Sequence, residues 1–146
     1  MRKASQWALA VSLAAGLAYT ACGAEEGGER VAGLKAAADA CRALIQNQTA
    51  EIAKIEADIK TVQDLLAVRK GELQQMQNEA NEPNTSAARK QQLVNDLIPK
   101  KQAEILTIEQ KLQALIKLRD QVLAVRKATQ DKLAEILAQL GQATKP

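Results

Sequence analysis

The chain has 146 residues, room for one domain, and is 47% hydrophobic but only 1% aromatic, with a formal charge of +3. It contains no His, no Phe and only two Cys, so the commonest general base and metal ligand is missing and a structural zinc site lacks its ligands. No phosphate-cradling loop follows Gly27-Gly28, and no basic face interleaved with aromatics is present, so we expect no enzyme, no cofactor, no bound metal and no nucleic-acid partner.

Residues 1–21 read as a signal peptide. Arg2 and Lys3 form a charged start, Trp7 to Leu17 an apolar stretch, and Ala21, Cys22, Gly23 and Ala24 a run of small residues. The apolar stretch is shorter than the ~20 residues a membrane span needs. The sequence Leu17-Ala18-Tyr19-Thr20-Ala21-Cys22 resembles a bacterial lipoprotein signal. That resemblance implies cleavage before Cys22 and lipidation of Cys22. With Gly23 rather than Asp next, it also implies an outer-membrane lipoprotein facing the periplasm. Ordinary signal cleavage after Ala24 is the alternative, and would give a secreted or soluble periplasmic protein. Either route removes Trp7 and Tyr19, the only aromatic residues. It also removes Arg2 and Lys3, leaving 18 of the 20 basic residues against all 17 acidic ones.

Residues 22–33 are small, polar and Gly-rich, which suits a flexible tether. A helical hairpin should then occupy 34–141, with 142–146 as a tail. Helix 1 is expected over about residues 30–78. Its apolar seam has a positions Val31, Ala38, Ile45, Ile52, Ile59, Leu66 and Leu73 and d positions Leu34, Cys41, Gln48, Ile55, Val62, Arg69 and Met76. The Asn- and Pro-bearing stretch 79–86 is turn chemistry, with Thr85 or Ser86 as the next N-cap. Helix 2 is expected over about 87–140, with a kink near Pro99 and Gly141 as its stop. Its seam runs Val94, Ile98, Lys101, Ile105, Ile108, Leu112, Leu115, Arg119, Val122, Arg126, Thr129, Leu133, Ile136 and Leu140.

The two seams predict an all-α fold, a long antiparallel coiled-coil hairpin. Pairing residues whose numbers sum to 167 sets a against d throughout and folds the chain between Pro83 and Asn84. It places Ile45 opposite Val122, Ile52 opposite Leu115 and Gln48 opposite Arg119. Near the open end Ala38 meets Thr129 and Cys41 meets Arg126. Sums shifted by seven obey the same heptad rule. Two local repeats, Ala50-Glu51-Ile52 with Ala103-Glu104-Ile105 and Leu66–Lys70 with Leu123–Lys127, fit either duplication or coiled-coil composition.

Helix 2 also carries Ile116, Leu118, Leu123, Val125 and Leu137 beside its seam, a candidate interaction face. A second copy giving a four-helix bundle, another envelope protein or a lipid surface would cover it, unless long Lys and Gln stems do so. Cys41 has no partner in its own chain once Cys22 is lipidated, so an intermolecular disulfide between two copies is a candidate link. The paired basics Arg69-Lys70, Lys100-Lys101 and Arg126-Lys127 are expected to be solvated. The functional expectation is a non-enzymatic envelope lipoprotein, resembling murein-type lipoproteins in being short, lipid-anchored and heptad-bearing. It would act as a spacer, scaffold or oligomerisation module. The alternatives are a soluble periplasmic binding module or holdase, similar in outline to coiled-coil-armed chaperones, and a membrane-active or adaptor hairpin docking through helix 2.

Overall fold

The computed structural model describes residues 27–146, so the signal peptide, Cys22 and the first part of the tether lie outside the described residues. The chain is an all-α helical hairpin. Helix α1 spans Gly27–Asn81, α2 spans Ala87–Gln92, a π turn spans Leu93–Leu97, and α3 spans Ile98–Ala143. Among the described residues there is no strand.

The periodicity of the sequence explains α1. Every a and d position from Val31 to Met76 is buried or half-buried. Each fully buried Ile, Leu or Val of such a seam contributes about 1.5–3 kcal/mol relative to exposure. The helix starts earlier than composition indicates. Gly27, Gly28 and Gly33 are helical, so residues 27–33 belong to the helix and not to a flexible tether. Glu29 in the first turn sits favourably on the positive end of the helix dipole.

The connection is built from side chains that satisfy the exposed ends of both helices. The carbonyl of Glu79 accepts from the amide of Glu82 at 3.2 Å and from Thr85 Oγ1 at 2.8 Å. Ser86 is the N-cap of α2, its Oγ accepting from the Arg89 amide at 3.3 Å. Arg89 then reaches back to both carboxylate oxygens of Glu79, at 2.7 and 3.2 Å.

Pro99 does not break the helix. The π turn immediately before it takes up the steric conflict. The amide of Ile98 donates to the carbonyl of Leu93, five residues back, which opens the ladder where the proline ring would strike a carbonyl. The inserted residue shifts the phase. Leu93 is fully buried while Val94, expected in the seam, is 56% exposed. From Ile98 onward every seam residue through Leu140 is buried or half-buried. Gly141 does not stop the helix, which continues to Ala143. No described glycine has positive φ, and Thr144 Oγ1 donates to the carbonyl of Leu140 at 3.0 Å.

The chain divides into two compact units, residues 54–119 and residues 27–53 with 120–146. In the first, Arg69 pairs with Glu104 and Glu72 with Lys101, at 3.0 and 2.9 Å, and both pairs sum to 173. In the second, Gln48 Nε2 donates to Thr129 Oγ1 at 3.1 Å, a sum of 177. Within each unit the helices are therefore antiparallel, but six and ten residues away from the expected sum of 167. Gln48 meets Thr129, not Arg119, and Cys41 packs in a cluster with Ile136 instead of meeting Arg126. The heptad rule is blind to such a shift. At the connection itself the Glu79–Arg89 pair sums to 168, so the departure from 167 is found along the arms and not at the turn.

Candidate interaction surface

Two polar layers interrupt the seams. In the unit of residues 54–119, Arg69 contributes a seam guanidinium, and Lys101 a seam ammonium whose side chain is 15% exposed. Glu72 accepts from Arg69 through both carboxylate oxygens at 3.0 and 2.9 Å, and from Lys101 at 2.9 Å. Glu104 lies 3.0 Å from Arg69 Nε, off the hydrogen-bonding direction, and 3.0 Å from Lys101 Nζ. Two cations and two carboxylates thus neutralise one another. Lys101 and Arg69 are not the free solvated cations that their place in basic pairs implied. The donated hydrogen bonds from Lys101 and Arg69 hold the Glu72 carboxyl below its ordinary range, and the bond to Glu72 raises Lys101. Nearby, Lys70 Nζ lies 2.8 Å from Glu109.

In the other unit the polar layer is neutral. Gln48 is 0% exposed and Thr129 6%. Thr129 Oγ1 accepts from Gln48 and donates to the carbonyl of Val125 at 3.0 Å. Gln48 Oε1 is buried with no hydrogen-bond partner. Arg126 donates to Thr49 Oγ1 at 3.3 Å.

Cys41 is buried with Leu34, Ala37, Ala38 and Ile136. Burial pushes its thiol up, with Lys132 opposing more weakly. A disulfide to a second copy would require this packing to open. Of the five residues of the expected interaction face, Ile116, Leu123 and Val125 are half-buried, while Leu118 and Leu137 are 39% and 40% exposed. They divide between the seam's two edges. Ile116, Leu123 and Leu137 occupy e positions, Leu118 and Val125 g positions. The unit of residues 54–119 exposes four further large apolar side chains, Leu65, Val68, Val94 and Leu106. The sequence reading placed Val94 in the seam and overlooked the other three. The three-residue spacing of Leu65 and Val68, which puts them on one side of α1, was the available signal.

Among the described residues no helix is long and apolar enough to cross a membrane, and no group of three or more His, Cys, Asp or Glu is placed to hold a metal ion. No family model, curated protein or solved structure matches this chain.

Proposed function

We propose that this protein is a non-enzymatic lipoprotein of the bacterial cell envelope, tethered through Cys22, whose helical hairpin serves as a spacer, scaffold or oligomerisation module in the periplasm. The observation that carries the reading is the closeness of two features. The lipoprotein-like signal ends at Cys22, and the chain is already helical at Gly27, the first described residue. The four intervening residues reach at most about 14 Å when fully extended. A lipid on Cys22 would hold the start of α1 at the membrane surface with little slack. The other support is the seam itself, since burying one helix's aliphatic stripe against another is what a spacer or scaffold requires. The partners in this reading are a second copy or another envelope protein.

The test is the intact mass of the protein extracted from its native membrane. A mass beginning at Cys22 with a diacyl- or triacylglyceryl group is the expected result. A lipid-free mass beginning at Glu25 would end the tether reading and leave a soluble periplasmic binding module.

A second reading, an adaptor docking through helix 2, rests on the exposure of Leu118 and Leu137. Replacing both by Gln would release a bound partner or liposome in that reading, and would leave a pure spacer's self-association unchanged.

A further inference from the structure

The aliphatic part of the seam does not choose its own register. In the sum-167 pairing, heptad arithmetic sets Ile52 against Leu115, Ile59 against Ile108 and Val62 against Ile105. One heptad away, at a sum of 174, it sets the same residues against Val122, Leu115 and Leu112. Aliphatic meets aliphatic in both, and the sequence supports either. The contacts observed sum to 173 in one unit and 177 in the other, on either side of the second and away from the first.

The polar residues of the seam distinguish the two. In the register adopted, Gln48 donates to Thr129, and Arg69 and Lys101 are both held by Glu72 and Glu104. In the other, Thr129 falls opposite Ala38, Arg126 opposite Cys41, Lys101 opposite Leu66 and Arg69 opposite Ile98. Only Gln48 then meets a polar partner, Arg119, and the cross-helix pairs Arg69–Glu104 and Glu72–Lys101 are lost, while Arg69–Glu72 and Lys101–Glu104, each within one helix, persist. Gln48 adds independent weight. Its Oε1 is buried without a partner, so the amide is a poorer filler of that site than Leu would be. A buried polar group that costs stability while selecting one alignment is the best-attested use of such residues in coiled coils. The apolar contribution to the choice is confined to the end cluster, where Ile136 packs on Leu34, Ala37, Ala38 and Cys41.

We infer that the two polar layers, Gln48–Thr129 in one unit and Arg69–Glu72–Lys101–Glu104 in the other, form a register lock that holds the hairpin one heptad away from an alternative pairing of the same aliphatic seam. The native thiol at Cys41 provides the readout. The full chain carries Cys22→Ser, and a second thiol is introduced as either Ile136→Cys, which meets Cys41 in the register adopted, or Arg126→Cys, which meets it in the other. After mild oxidation, the internal crosslink is quantified from the mass shift on alkylation. With both layers intact, the 41–136 bond forms and the 41–126 bond does not. With Gln48→Leu, Thr129→Val, Arg69→Leu and Lys101→Leu together, the 41–126 bond should increase at least tenfold. An unchanged 41–126 yield in that variant overturns the inference and assigns the register to the end cluster. Equal yields of the two bonds with the layers intact overturn it as well. Should the fourfold variant lose its helical circular dichroism, Gln48→Leu with Thr129→Val alone is read by the same two outcomes.

Discussion

Gln48 and Cys41 occupy equivalent d positions on the same helix, yet they place opposite demands on the seam. Cys41 fills its site as a small apolar group, while Gln48 fills its site with an amide that satisfies only one of its two ends. Gln48→Leu should therefore raise stability by about 1–3 kcal/mol, the cost of a buried unsatisfied polar group. Thermal melting checks this, and a lower melting temperature would contradict it. For Cys41, burial both hides the sulfur and raises its pKa, so less thiolate is present at neutral pH and what exists is shielded. Alkylation of Cys41 in the folded protein should be at least tenfold slower than in denaturant, by a rough expectation for groups that react only after local opening. Equal rates would mean that the α1 end cluster is not packed in solution. That both positions belong to the seam was legible from the three-and-four spacing of Val31 to Met76. That Gln48 would find Thr129 was not, because an amide's partner depends on alignment, and spacing alone leaves alignment free by whole heptads.

At the scale of elements, α3 preserves its seam, and the phase changes in the π turn before it, where Leu93 and not Val94 is buried. The sequence marked the place, since Pro99 must disturb the backbone around its own fourth-preceding carbonyl. It did not mark the outcome, because a kink, a break and a π turn all relieve the same clash. Pro99→Ala should stabilise the helix by less than the ~3 kcal/mol that separates Pro from Ala in a regular helix interior, since the π turn has already absorbed part of the conflict. Urea melts of the two proteins decide the matter, and a gain of the full amount would mean that the π turn relieves nothing. Helix ends were the least legible elements. Gly141 looks like a boundary by residue type, yet the backbone there needs no left-handed glycine. The charged layer of residues 54–119 also acts at this scale. Glu72 is depressed, so its contribution is complete above the ordinary carboxylate range and is lost as pH falls through its lower folded value. Lys101 is raised, so its contribution is complete below 10.5 and is lost as pH rises through its higher folded value. The melting temperature should therefore fall at both extremes. Glu72→Gln should flatten the acid limb measured by circular dichroism, and an unchanged acid limb would show that other carboxylates govern it.

Taken whole, the molecule has an all-α architecture that was readable from composition and periodicity together. Without aromatics, the buried area must come from aliphatic stripes, and stripes of that length on two segments joined by a polar turn fold back on one another. Trp7 and Tyr19 precede both cleavage sites of the proposed signal, so processing by either route would leave a chain without an indole or phenol. Purified mature protein should show no absorbance band at 280 nm while keeping full far-ultraviolet helical dichroism. A band at 280 nm would show that the signal segment is retained.

The π turn has a consequence for how the chain tolerates change in length. Removing one residue from a regular helix rotates everything beyond it by about 100° and throws one flank of its seam into solvent. Within Leu93–Leu97 the same deletion would take away a surplus residue. The turn would close to ordinary α geometry, with Leu93 on one side and Ile98 on the other keeping the faces they already present. Only the ring of Pro99 would object. The second helix thus carries a spare residue beside its proline, and a shortened chain combining loss of Asn95 with Pro99→Ala would keep both phases of its seam.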